Sequence, residues 1–87
     1  MPYIKHEDRE RLKPILDVAF MAGIRNVGEF NYVLSSICQI FEHEMGESYN
    51  THNSIVGALE CVKTEWSRKK LGPYEDKKEL ENGTIWS

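Results

Sequence analysis

From Val27 to Met45 the apolar residues fall at steps of three and four: Val27, Phe30, Leu34, Ile37, Cys38, Phe41 and Met45. With 3.6 residues per turn, that spacing lays one continuous apolar face along a helix. No other stretch limits the fold as strongly, because a helix of this kind needs a surface to cover its face. Asn26 stands where an N-cap belongs, and Glu29 follows at capping-box spacing. The pattern predicts a helix over Asn26–Met45, ended by Gly46.

A second stripe follows. Ile55, Ala58, Leu59, Val62 and Trp66 recur at helical steps, with Val56 and Cys61 on the flanks. A helix is predicted over Thr51–Lys70, capped by Thr51 or Asn50, and Gly72-Pro73 reads as its stop. Lys63, Arg68, Lys69 and Lys70 suit the negative pole of that helix, whereas Glu42, Glu44 and Glu47 crowd the same pole of the preceding one. Gly57 costs a helix interior about 1 kcal/mol against alanine, and reads as a mark of close approach by another helix.

Upstream, Ile15, Leu16, Val18, Ala19, Phe20 and Met21 predict a shorter helix over Pro14–Ala22. Pro14 sits at its first position, where a missing N–H is harmless, and Gly23 ends it. His6–Leu12 reads as a separate helical turn. Downstream, Pro73–Glu81 predicts one or two turns broken by Asn82-Gly83. Met1-Pro2-Tyr3-Ile4 and Thr84-Ile85-Trp86 read as extended ends able to pair in a small ribbon.

The expected fold is therefore all-α: a small three-helix core of two long antiparallel helices and a shorter one packed across them, with a short C-terminal helical turn. The 87 residues fit one domain, residues 1–87, with no room for a second core. A core this small is marginal alone, so the expected assembly is a two-fold homodimer, with Val33, Ile40 and Val56 supplying surface off the main stripes. An unidentified protein partner is the other expectation. No apolar run approaches the ~20 residues of a membrane helix, and the start lacks a signal-peptide core, so the expected location is the cytoplasm. The formal net charge of −3 disfavours nucleic acid as the main partner. The two cysteines, Cys38 and Cys61, lie in apolar segments and read as buried reduced thiols. No CxxC or HxxxH pair occurs, so neither a metal nor a cofactor is expected.

Several segments together resemble a family of small uncharacterised proteins from bacterial and phage genomes. They are Met1-Pro2-Tyr3-Ile4, Gly28-Glu29-Phe30-Asn31-Tyr32, Ile55-Val56-Gly57-Ala58-Leu59-Glu60 and the ending Pro73-Tyr74-Glu75-Asp76-Lys77-Lys78 with Glu81-Asn82-Gly83. Where the family pattern continues Asn-Gly-Asp, this chain carries Thr84. The resemblance implies architecture and context, and no activity.

Small all-α domains rich in glutamate also invite comparison with nucleotide pyrophosphohydrolases of the MazG type. Those hold Mg²⁺ between an ExxE helix and an ExxD helix, since octahedral magnesium needs several converging carboxylate oxygens. Glu44 and Glu47 have the first spacing, but Lys63 follows Glu60 and Arg68 follows Glu65 where an aspartate is wanted. The pairs His43–Glu47 and His6–Glu10 are four apart and suit surface contacts. Arg68, Lys69 and Lys70 beside Trp66 offer a weak nucleic-acid surface. No catalytic residue emerges.

The candidate ligand or partner patch is Glu29, Asn31, Tyr32, His52 and Asn53, with Tyr74, Glu75 and Asp76 in the tail. The tail acids equally suit a structural clasp to Arg68, Lys69, Arg9 or Arg11. The function expected is a non-enzymatic interaction or accessory protein. The alternatives are a metal-dependent nucleotide hydrolase gathering Glu29, Glu60 and Glu65 or Asp76, and a nucleic-acid-binding helical domain.

Overall fold

The computed structural model describes residues 4–86, and every regular element among them is helical. The order is α1 (His6–Ala22), α2 (Val27–Met45), α3 (Tyr49–Trp66), a π turn (Ser67–Leu71) and α4 (Gly72–Asn82). The protein is all-α. By its internal contacts the chain divides into two units, Met1–Gly46 and Glu47–Ser87, each described by itself.

In the first unit, α1 begins eight residues ahead of Pro14 and runs through it. Proline has no N–H to give the carbonyl four residues back, which makes a helix start the favoured place for it. Strong helix formers (Glu7, Arg9, Glu10, Arg11, Leu12 and Lys13) precede Pro14, and its exposed setting lets water serve the freed carbonyl. Glu7 and Asp8 in the first turn complement the positive pole. His6 and Glu10 approach to 3.6 Å, the expected pair, and Asp8 meets Arg11 at the same distance. Gly23 ends α1 at a φ of 79° and donates its N–H to the Ala19 carbonyl at 3.2 Å.

α2 follows the sequence pattern closely. Asn26 is its N-cap and Gly46 its C-cap, the latter at a φ of 81° that a side chain would resist. α1 and α2 do not pack on each other, and Ile15, Leu16, Val18, Phe20 and Met21 of α1 stay exposed.

In the second unit, the N-cap of α3 is Ser48 rather than Asn50 or Thr51. Its hydroxyl accepts the Thr51 N–H at 3.0 Å and lies 3.0 Å from the Thr51 hydroxyl. Thr51 is the one buried side chain among the described residues, and no apolar side chain among them is buried. Neither unit closes a core of its own.

The expected stop at Gly72-Pro73 does not end the helix. All of Ser67, Gly72 and the residues flanking the π turn keep right-handed helical backbone. The Gly72 N–H reaches back five residues to the Ser67 carbonyl instead of four. A Cβ on Gly72 would stand 3.2 Å from that carbonyl oxygen, so the wider turn leans on a residue without one. Pro73 then falls in the first turn of α4, the position that tolerates it. The tail is a helix of 11 residues rather than one or two turns, and it does end at Gly83. Beyond it, Thr84 Oγ1 accepts the Trp86 N–H at 2.9 Å. Ile4 and Thr84–Trp86 lie outside any strand, and Met1–Tyr3 of the expected ribbon fall outside the described residues.

Gly57 departs from expectation. A Cβ built there meets nothing within 4 Å among the described residues of its unit.

Candidate functional site

The first polar group belongs to the start of α2. Asn26 Oδ1 accepts the Glu29 N–H at 2.8 Å, and Glu29 Oε1 accepts the Arg25 N–H at 2.8 Å. This is a capping box shifted by one residue, since the usual reciprocal donor is the N-cap N–H itself. Two helix-start donors are thereby satisfied, and the Glu29 carboxylate is held against its own backbone. Asn31 Oδ1 accepts the Ser35 hydroxyl at 3.3 Å. Tyr32 stands 73% exposed.

In the second unit, the start of α3 brings His52 Nε2 to 3.1 Å from Glu47 Oε2. Glu47 thus finds a histidine, though five residues ahead of it rather than at His43. Asn53 is exposed beside them. Ser48 is the residue the sequence reading passed over. The signal was present in the Ser-x-x-Thr spacing from Ser48, which is an N-cap pattern placed two turns before the apolar stripe.

Further along α3, Glu60 and Glu65 of the hydrolase comparison are each paired with a cation three or four residues on. Lys63 Nζ lies 3.4 Å from Glu60 Oε1. Arg68 Nη2 reaches both Glu65 oxygens at 3.0 Å, and Lys69 Nζ lies 3.2 Å from one of them. The hydrogen bond from Arg68, then that from Lys69, holds the Glu65 carboxyl below the usual carboxylate range. Lys63 and Arg68 therefore both interrupt an ExxD spacing and pair with the acid three residues before them.

In α4, Tyr74 carries Lys78 over its ring, with Nζ 5.6 Å from the centroid, and Lys78 also pairs with Glu81 at 3.2 Å. Glu75 lies in the first turn of α4. Within the second unit, Arg68 and Lys69 of the expected clasp pair with Glu65. Asp76 is exposed. Of the eight patch residues, the structure places Glu29, Asn31 and Tyr32 in the first unit and His52, Asn53, Tyr74, Glu75 and Asp76 in the second.

The apolar stripe of α2 is exposed. Leu34 is 37% exposed, Phe41 41%, Ile37 46%, Phe30 52%, Met45 62% and Val27 81%. Burying such side chains is worth about 1.5–3 kcal/mol each relative to leaving them in water. Ile40, beside it, is also exposed, and Val33 is half-buried. Both cysteines are free; Cys38 is half-buried at the edge of this face, but Cys61 is exposed rather than buried.

Among the described residues no helix is long and apolar enough to cross a membrane. No curated protein and no solved structure matches the chain. A family model described as a domain of unknown function, DUF6899, matches residues 1–85, and the chain belongs to that family.

Proposed function

We propose that this protein is a non-enzymatic interaction module that works as a helical dimer, its apolar helix faces completed by a second copy. One observation carries the reading: within its own unit nothing packs on the α2 stripe, whose Val27, Phe30, Leu34, Ile37, Phe41 and Met45 are exposed. An 87-residue chain has few means of stabilising itself, and association is the cheapest way to add buried apolar area. In this reading exposed polar side chains such as Tyr32 and Asn53 serve accessory contacts with other proteins. A reducing compartment such as the cytoplasm suits the two free thiols. The hydrolase reading loses ground because Glu60 and Glu65 are ion-paired, and the nucleic-acid reading because Arg68 and Lys69 are.

Sedimentation over a concentration series tests the proposal. The expected result is a shift from 10.1 kDa toward twice that mass as concentration rises through the micromolar range. A single 10.1 kDa species at high micromolar concentration overturns it.

A further inference from the structure

Asn82-Gly83, at the end of α4, is the one asparagine–glycine step in the chain. Asparagine is thermally labile, because its side-chain amide carbon lies within reach of the next backbone nitrogen. Glycine, with no Cβ, leaves that approach open. We propose that Asn82 is a site of spontaneous deamidation, and that the last turn of α4 sets its rate. Hydroxide or water takes the Gly83 N–H proton, the Gly83 nitrogen bonds to Asn82 Cγ, and the Cγ–Nδ2 bond breaks to release ammonia. Water then adds to either carbonyl of the cyclic imide and opens it, leaving aspartate or isoaspartate. The sum is an amide and water giving a carboxylate and ammonium.

The fold restrains the nucleophile. Gly83 donates its N–H to the Glu79 carbonyl at 2.7 Å, which engages the proton and ties the nitrogen to the helix. Asn82 is the last residue of α4, and Gly83 turns away from it at a φ of 84°. Attack requires that hydrogen bond to break and Asn82 to leave its helical backbone. The opening costs little, because no helix of the same unit packs on this end of α4 and helix ends fray. The other asparagines, Asn26, Asn31, Asn50 and Asn53, precede Val27, Tyr32, Thr51 and Ser54, whose side chains crowd the attacking nitrogen.

Conversion acts back on the helix. The new carboxylate stands at the negative pole of α4, beside Glu79 and Glu81, while Lys78 is already paired with Glu81 at 3.2 Å. Isoaspartate also routes the main chain through Cβ, which displaces Gly83 from the Glu79 carbonyl. The change therefore loosens the turn that slowed it, in one direction and without an enzyme.

The test is ageing of the full chain in warm, mildly alkaline buffer, with and without urea. Peptide mapping and an isoaspartate-specific methyltransferase follow each asparagine. Asn82 should convert ahead of the other four. In native buffer it should convert more slowly than in urea, by no more than about tenfold, since a fraying turn opens easily. Earlier conversion of another asparagine, or an Asn82 that converts in urea and stays intact in native buffer, overturns the site. Equal rates in the two buffers overturn the control by α4. Asn82→Asp carries the product's charge without ageing. Hydrogen-exchange protection of its Gly83 amide, corrected for intrinsic rate, should fall about two- to fivefold, the scale of a charge at a helix pole. Unchanged protection overturns the loosening.

Discussion

Glu65 and Arg68 form the most closely determined ion pair of the protein, with one guanidinium nitrogen 3.0 Å from each carboxylate oxygen. Lys69 adds a second cation at 3.2 Å. Together they pull the Glu65 pKa below its ordinary value of 4.5. A carboxyl whose folded pKa is depressed stabilises the helix fully above its unfolded value, and that contribution is lost as pH falls through the folded value. The expected outcome of a carboxyl NMR titration is a Glu65 midpoint below 4.5 that moves back up in Arg68→Ala. An unchanged midpoint in Arg68→Ala would remove the assigned cause.

Asn26 holds the start of α2 through one hydrogen bond to the Glu29 N–H. Asn26→Ala should lower the stability of the helix by about 1 kcal/mol, the usual loss at an N-cap. Ser48→Ala should do the same at α3, where the lost acceptor serves Thr51. Denaturant melts followed by circular dichroism read both losses.

Gly57 sits mid-helix with open space where a Cβ would go. Gly57→Ala should raise helix stability by about 1 kcal/mol in a thermal melt. A loss instead would show that another copy packs against this glycine.

Cys61 is exposed and Cys38 half-buried beside the α2 face. Under native conditions a maleimide should modify Cys61 first, with peptide mapping as the readout. Raising protein concentration should slow modification of Cys38 more than that of Cys61, because only Cys38 borders the proposed contact.

Leu34 and Ile37 lie mid-way along the α2 stripe, so Ile37→Ala should weaken the proposed dimer more than Tyr32→Ala. A loss of about 1.5–3 kcal/mol per buried aliphatic side chain sets the scale. Equal effects at Tyr32 and Ile37, measured by sedimentation, would move the interface off this face.

The elements written in local chemistry were legible from the sequence: α2 with Asn26 and Glu29 at its start, and the glycine ends at Gly23, Gly46 and Gly83. Those signals act over four residues, and the backbone obeys them directly. Pro14 and Gly72-Pro73 misled because proline's preferences compete with the strong helix formers around it. At Pro14 an exposed helix absorbs the missing bond, and at Gly72 a five-residue hydrogen bond accommodates the ring that follows. Ser48 was missed because the cap lies seven residues ahead of Ile55, the first residue of the stripe it serves. The polar patch was legible as residue types but not as geometry. Whether Glu29 meets a ligand or its own Arg25 N–H depends on a rotamer that spacing does not specify.

The π turn has a consequence for the pattern of the long helix. One residue inserted into a turn advances every later side chain by about 100° around the axis. The stripe that reaches Trp66 would, on four-residue steps, pass next to Lys69 and Lys70 and dissolve into charge. With the Leu71 turn widened to five, Leu71 takes the place over Trp66, and Tyr74 follows it three residues on. The bulge thus works as a phase corrector: it steers the lysines off the seam and carries one hydrophobic line from α3 into α4.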